Sequence, residues 1–265
     1  MRISYACISH IGNVRRLNQD NFICDGRFME TDDNGIVFPL TGVCSLKAPA
    51  LFGVFDGMGG EERGEVAASI AAKGAAGIKL GKDAASDLLE FCQKANQSIC
   101  DYAEENDLFS TGTTAAMLAF TRDGITLCNI GDSKIFRFRR GPLEQLSQDH
   151  VDVAPFGKKP PLLQNLGIPP DEMTITPYVA RERYRNGDVY LICSDGLTDM
   201  VTAGEMTQVL ASKGVEEAVG ELLQRALSNG GRDNISIILC QVRRGGGWFG
   251  KHRHRNKREG GVGDG

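Results

Sequence analysis

The chain has 265 residues, of which 41% are hydrophobic and 24% charged, and its formal net charge at pH 7 is −4. This length and composition allow one large core, and no change in composition divides the chain into two globular domains. Because the sequence has neither the pattern of a secretory signal nor an apolar run of membrane-spanning length, we expect a cytoplasmic protein without a membrane span.

The first half of the chain is predicted to alternate between strands and two helices. Apolar residues that alternate or run together indicate strands, and Asn34-Gly35 indicates a hairpin turn leading into "IVFPL". Alanines and aliphatic residues at three- and four-residue spacings then indicate helices. The predicted strands are 2–12, 20–26, 36–40 and 51–56, and the predicted helices are 61–79 and 83–106.

The second half begins with three strand-like runs in quick succession, "TTAAMLAFT", "GITLCNIGDS" and "KIFRFRRG". Their short connections predict antiparallel pairing between neighbours. A Pro-rich loop, 147–180, has a length that is typical of functional loops. A strand within 187–197, helices over 203–213 and 215–228, and a last strand over 234–243 complete the pattern. This segregation predicts an α+β fold with helices outside an antiparallel β core.

The end of the chain differs from the rest in charge and composition. Residues 244–265 carry six Lys or Arg and two acidic residues, which leaves a net charge of −8 on residues 1–243. The segment is rich in Gly and poor in apolar side chains, so it cannot bury enough surface to offset the entropy of ordering. We therefore predict a folded domain over 1–243 and a basic disordered tail over 244–265, with no nucleic-acid partner.

The eight cysteines include no CxxC pair. This spacing argues against a zinc ribbon and against a thioredoxin-like redox site. Several of them lie inside apolar runs such as "VYLICSDG". We therefore expect reduced thiols, most of them buried.

Aspartates recur at the ends of predicted strands. Asp56, Asp132 and Asp195 each lie beside a glycine at such an end, while Asp233 and Asp20 precede the last strand and an early one. A single aspartate of this kind is ordinary turn chemistry. Several carboxylates gathered at one rim repel one another by roughly 4 kcal/mol per pair at ~4 Å, so they require raised pKa values or a cation. A site made only of oxygen ligands favours Mg²⁺ or Mn²⁺.

The glycines around Asp56 admit two interpretations. Gly57, Gly59 and Gly60 allow a sharp bend beside a metal ion and leave a backbone carbonyl to bind it. They also resemble a phosphate-binding loop before a helix. A P-loop needs GKS or GKT, and neither occurs in the sequence. We therefore favour the metal site.

Seven motifs together resemble those of bacterial metal-dependent type-2C serine/threonine protein phosphatases. They occur in the family's order over residues 3–243: "RRLNQDN", "FGVFDGMGGEERGEVA", "STGTTAAM", "NIGDSKIF", "QDHVDV", "GDVYLICSDGLTDMV" and "GRDNISIILC". The resemblance implies a four-layer αββα sandwich, with a central antiparallel β-sandwich flanked by helix pairs. It also implies hydrolysis of phosphoserine and phosphothreonine in proteins by a hydroxide that bridges two Mg²⁺ or Mn²⁺ ions, without a phosphoenzyme.

The resemblance also implies roles for individual residues. Asp56 would bridge the two ions, the carbonyl of Gly57 would bind one of them, and Asp195 and Asp233 would complete the ligands of the first ion. Arg15 would bind the substrate phosphate, and Asp132 would help to hold a third, weaker ion. The expected catalytic residues are thus Asp56 and Arg15.

Two positions depart from the family pattern. Gln19 replaces a glutamate that binds the second ion in animal members, and Asp20 is expected to support that ion directly or through water. Met58 replaces a histidine proposed as general acid. Gln19 motivates an alternative, a weakly active phosphoprotein-binding member of the same fold, and a phosphatase for small metabolites also stays open. We expect a monomer that opposes a serine/threonine kinase.

Overall fold

A computed structural model describes residues 1–30, 34–36, 38–58, 63–153 and 160–244. The strands of this part of the chain are β1 (Arg2–His10), β2 (Asp20–Cys24), β3 (Leu40–Ser45), β4 (Ala50–Met58), β5 (Gly112–Thr113), β6 (Ala115–Phe120), β7 (Ile125–Ile130), β8 (Lys134–Phe138), β9 (Leu143–Gln145), β10 (Tyr178–Glu182), β11 (Val189–Cys193) and β12 (Ile235–Arg243). Its helices are α1 (Gly64–Ala76), α2 (Ala84–Glu105), α3 (Asp195–Thr198), α4 (Ala203–Ser212) and α5 (Val215–Ser228).

The strands form two antiparallel sheets. The first has the order β3-β1-β12-β11-β8-β9, and the second has the order β10-β7-β6-β4-β2, with β5 paired to the end of β4. A core that includes Phe52, Phe120 and Tyr190 fills the space between the two sheets. The edge-on contact of Phe120 with Tyr190 joins the two sheets, and Phe52 makes a second edge-on contact with Phe120 within its own sheet.

Helices cover the outer face of each sheet. The small alanines of α1, together with Leu88 and Phe91 of α2, pack on the second sheet, while α3, α4 and α5 pack on the first. Local signals fix where these helices begin. The Asp83 side chain accepts hydrogen bonds from two backbone N–H groups of α2, and Thr202 and Glu205 form a capping box at α4. The predicted α+β fold with αββα layers is therefore confirmed.

The structure corrects two details of the strand prediction. The strand after Gly35 is β3, which begins at Leu40 and pairs with β1, whereas the prediction placed it over 36–40. Gly35 itself forms an isolated bridge with His10. Residues 31–33, just before the predicted Asn34-Gly35 turn, and 37 lie outside the described part of the chain. The same holds for 59–62 at the predicted start of the first helix, 154–159 of the Pro-rich loop and 245–265 of the predicted tail.

The second correction concerns β7 and β8, which do not pair with each other. The chain leaves the second sheet after β7 and enters the first sheet at β8, where it pairs with β11. Gly131 makes this corner possible, because its φ of +96° is a conformation that residues with a Cβ rarely adopt. A short connection therefore marks a change of sheet, and it carries Asp132 to one end of the sandwich.

The cysteines agree with the prediction of reduced and mostly buried thiols. All eight are free, and only Cys44 and Cys100 are partly exposed. Among the described residues, no helix combines the length and apolar character that a membrane span requires.

Candidate metal and phosphate site

One end of the sandwich holds a cavity of about 270 Å³ that gathers most of the predicted site residues. Strand ends and connections from both sheets supply its walls, so residues far apart in sequence meet there. The predicted residues that line it are Arg15, Asp56, Gly57, Asp132, Asp195 and Asp233. Gln19, Met58 and Thr114 also line it.

Asp20 lies behind this cavity rather than in its wall. It is the cross-strand partner of Asp56 and is 3% exposed. Its Oδ2 accepts a 2.7 Å hydrogen bond from the Ser194 hydroxyl, whereas its Oδ1 is buried and accepts none from the described residues. Burial is the main reason that the pKa of Asp20 is raised to about 6. An orphaned carboxylate oxygen at this depth is a favourable position for a cation.

Gly57 allows three segments to meet beside Asp56. Its N–H donates to the Gln19 carbonyl at 3.1 Å. A side chain at residue 57 would collide with the backbone of Gly64, at the start of α1, and of Gln19. Glycine is therefore required here for packing, independently of any role of its carbonyl.

Thr114 connects the environments of Asp56 and Asp132. Its hydroxyl accepts a hydrogen bond from the Asp56 N–H at 3.1 Å and lies 2.7 Å from the hydroxyl of Ser133. The Thr114 N–H in turn donates to the Asp56 carbonyl. On the other side of the corner, Lys134 donates to the Asp132 carbonyl at 3.1 Å. These contacts hold the backbone of Asp56, in β4, and that of Asp132, between β7 and β8, on either side of Thr114 and Ser133.

The remaining carboxylates differ in exposure. Asp195 is the first residue of α3, separated from the end of β11 by Ser194, and is 4% exposed. The Asp233 side chain precedes β12 and is 32% exposed. Its Oδ2 accepts a 2.7 Å hydrogen bond from Nη2 of Arg15, and this bond raises the pKa of Arg15. The predicted phosphate ligand therefore contacts a predicted metal ligand directly.

Asn234 holds the loop that carries Arg15, and the sequence analysis did not identify it as a site residue. Its Nδ2 donates to the carbonyls of Ile11 and Leu17, and its Oδ1 accepts from the Gln19 N–H. Asn234 is 4% exposed, so these bonds are shielded from water. The "RDN" motif thus contributes both a carboxylate and the side chain that fixes the loop of Arg15.

Glu65 is a second residue that sequence analysis missed. It lies in the first turn of α1, is 8% exposed, and its Oε2 accepts from Nε2 of Gln19 at 3.4 Å. A carboxylate only accepts hydrogen bonds, so it requires the NH₂ end of the Gln19 amide to face α1. The backbone N–H of His150 donates to the Gly131 carbonyl at 3.0 Å, which ties the following loop to the corner at Gly131.

The residues of the cavity suit a hard divalent cation. Their donors are carboxylate, amide and backbone oxygens, without a His or Cys among the described lining residues. In the described part of the chain, no three His, Cys, Asp or Glu side chains have the arrangement of a metal-ligand set. The pairing of Asp233 with Arg15 and of Asp20 with Ser194 indicates that side chains would have to turn for an ion to bind.

Comparisons with known proteins agree with the geometry. The serine/threonine phosphatase stp of Listeria welshimeri is 29% identical over 253 residues, covering 87% of this chain and 92% of that protein. The crystal structure of the Mycobacterium tuberculosis serine/threonine phosphatase PstP/Ppp matches with a TM-score of 0.77 at 26% identity, covering 92% of this chain and 100% of that one. The PstP catalytic domain in complex with two manganese ions matches with a TM-score of 0.74 at 28% identity and the same coverage.

A family model described as protein phosphatase 2C matches residues 40–239, which is well over half of the chain. The match confirms the predicted family and the predicted enzyme class, a metal-dependent phosphoprotein phosphatase. The chain belongs to the protein phosphatase 2C family.

Proposed function

We propose that this protein hydrolyses phosphoserine and phosphothreonine in proteins with two Mg²⁺ or Mn²⁺ ions. The observation that carries the proposal is one cavity in which an arginine meets carboxylates from four separate segments of the chain. The PstP catalytic domain was solved with two manganese ions, which supports the same pair here. The proposed ligands of the two ions are Asp56, the Gly57 carbonyl, Asp195 and Asp233, with Asp132 toward a third ion and Asp20 supporting the second.

Arg15 is proposed to orient the phosphate group. Its planar guanidinium has five N–H donors, and the ion pair with Asp233 uses one of them. The remaining donors can bind two phosphate oxygens at once. The side chains of the pair are 49% (Arg15) and 32% (Asp233) exposed, so its rearrangement costs little. When bound, the ions would neutralise phosphate charge and lower the pKa of water.

The proposal is tested by turnover of a phosphothreonine peptide and of p-nitrophenyl phosphate at millimolar Mn²⁺. We expect the wild-type protein to hydrolyse both substrates, and we expect chelation of the metal ions to abolish the activity. Asp56→Ala and Asp195→Ala should each reduce the activity to background. Glu216→Ala, on the first turn of α5 and outside the cavity, is the matched control and keeps wild-type activity. Absence of turnover by the pure wild-type protein would contradict the proposal, and peptide binding without turnover would favour the weakly active alternative.

The setting of this activity is also a proposal. We propose that the protein acts in the cytoplasm, because its free cysteines, most of them buried, are compatible with a reducing compartment. Phosphoserine and phosphothreonine are products of kinases, so a serine/threonine kinase would supply the substrates. We infer that residues 1–243 form the catalytic domain and that it acts as a monomer, which size-exclusion chromatography with light scattering would test.

A further inference from the structure

A second groove, of about 540 Å³, begins at Met58, which also lines the catalytic cavity. It runs along the C-terminal half of α2, between the segments 108–112 and 165–172. Four exposed acidic side chains line it, and the described lining residues include no Lys or Arg. We call it the acidic groove, and its acidic residues are Asp101, Glu104, Asp171 and Glu172.

Hydrogen bonds hold the walls of the acidic groove in place. Asn96 of α2 is 5% exposed; its Oδ1 accepts from the N–H groups of Gly167 and Ile168, and its Nδ2 donates to the Ile168 carbonyl. Leu166 exchanges two backbone hydrogen bonds with Thr113, in the strand that pairs with the end of β4. Backbone hydrogen bonds therefore connect the groove, through β5, to the strand that contains Asp56. The groove is formed before any ligand binds.

Two features of the acidic groove point to a ligand. Thr111 lines it and is 5% exposed, yet its buried Oγ1 has no hydrogen-bond partner among the described residues. Phe109, at the rim, is 97% exposed. Cys100 also lines the groove, and its pKa is raised first by burial and then by the negative charges of Asp101, Glu172 and Asp171.

We propose that the acidic groove binds the peptide chain that flanks the phosphorylated residue of a substrate, and that it selects lysine or arginine in that flanking sequence. The inference rests on the proposed function, since the groove continues from the phosphate cavity. The acidic side chains complement a basic peptide, Phe109 offers an apolar surface to its aliphatic stems, and rotation of the Thr111 side chain would let its unpartnered hydroxyl bond to the peptide backbone. The four acids are exposed and lie on two segments, which suits an extended chain better than one ion.

Turnover of matched peptides tests the proposal. One phosphothreonine peptide carries lysines and arginines on both sides, and the other carries glutamines at the same positions. We expect wild-type kcat/KM to favour the basic peptide roughly five- to tenfold at low salt, the effect of one or two exposed ion pairs, and less in 0.5 M NaCl. The Asp101→Asn/Glu104→Gln/Asp171→Asn/Glu172→Gln variant should lose this preference. Glu216→Gln/Glu217→Gln, on α5, removes two acidic charges away from the groove; it is the control and should keep the preference.

Binding of the basic phosphopeptide without divalent metal, followed by fluorescence anisotropy, separates this proposal from the proposed function. We expect the quadruple variant to bind roughly five- to tenfold more weakly than the wild type and the α5 control. Weaker binding by the variant in a protein with no turnover would support the groove and contradict the phosphatase proposal. Turnover that ignores flanking charge, or equal binding by all three proteins, would overturn the groove proposal and leave the phosphatase proposal intact.

Discussion

The Gln19→Glu substitution would place a second carboxylate beside Glu65 at the rim of the catalytic cavity. The present contact joins Nε2 of Gln19 to Oε2 of Glu65 at 3.4 Å, and Glu65 is 8% exposed. Two negative charges at this separation repel by about 5 kcal/mol at an effective dielectric of ~20. Uptake of one proton relieves the repulsion, and from a reference glutamate pKa this costs about 4 kcal/mol at pH 7. Arg63, whose Nη1 lies 3.6 Å from Glu65, offsets part of the cost.

We therefore expect the metal-free Gln19→Glu protein to lose about 2 to 4 kcal/mol of unfolding free energy at pH 7. For a domain of this size, that loss lowers Tm by roughly 5 to 15 °C. The deficit should shrink toward pH 5, because the added carboxyl takes up a proton and the repulsion disappears. Thermal unfolding of wild type and variant across this pH range measures the effect.

Mn²⁺ reverses the expected order if position 19 faces the second ion. The added carboxylate then becomes a ligand, so millimolar Mn²⁺ should raise the Tm of Gln19→Glu more than that of the wild type. The control is Gln19→Glu/Glu65→Gln, which exchanges the two groups and should recover the metal-free stability. Equal Tm values for wild type and Gln19→Glu at every pH would refute the assigned contact with Glu65.

Three further changes test other parts of the site. Arg15→Lys should lower kcat/KM for a phosphothreonine peptide roughly 10- to 100-fold, because an ammonium group cannot present the bidentate fork; an unchanged value would exclude the proposed clamp. The pKa of Asp20, raised to about 6, means that its stability contribution is present below about pH 4 and lost as pH rises through 6. Metal-free Asp20→Asn should consequently be more stable than wild type above pH 6, and parallel Tm–pH curves would argue against this. Gly131→Ala should lower the unfolding free energy by about 2 to 4 kcal/mol in urea, since φ is +96° and the new Cβ would lie 2.6 Å from Cγ2 of Thr114. Gly220→Ala, inside α5 with open space around the new Cβ, is the control and should be neutral or stabilising.

The layers of the fold could be predicted because each element carries its own periodic signal. The helices over 203–213 and 215–228 were placed to within a residue of α4 and α5, and the predicted last strand matches β12 within a residue. The spacing of apolar residues along the sequence is enough to predict which face of each of these elements is buried. The strands β5 and β9 have two and three residues, too few for such a pattern. β10 begins at Tyr178, inside the segment 147–180 that was predicted as a loop, and its pairing with β7 determines it.

The site carboxylates could be predicted for a related reason. Each lies next to the end of an apolar run, so the hydrophobic pattern of the sequence indicates its position. The residues that hold them in place carry no such mark. Asn234 acts through carbonyls of Ile11 and Leu17, more than two hundred positions away, and Glu65 reads as an ordinary acidic residue in the first turn of a helix. Such contacts depend on which loops meet at the end of the sandwich, which the sequence pattern does not specify.

The corner at Gly131 shows how a wrong pairing can still lead to the right site. Three strands with short connections suggested one meander, in which Asp132 would lie in a hairpin turn of a single sheet. The chain instead crosses between sheets there. β8 pairs with β11, the strand that leads to Asp195, while β7 pairs with β6, and β6 pairs with β4, the strand that contains Asp56. A change of sheet brings residues of both layers to one end, which a hairpin within one sheet cannot do. The cavity therefore depends on this crossing, and a change at Gly131 should disturb the metal site as well as the fold.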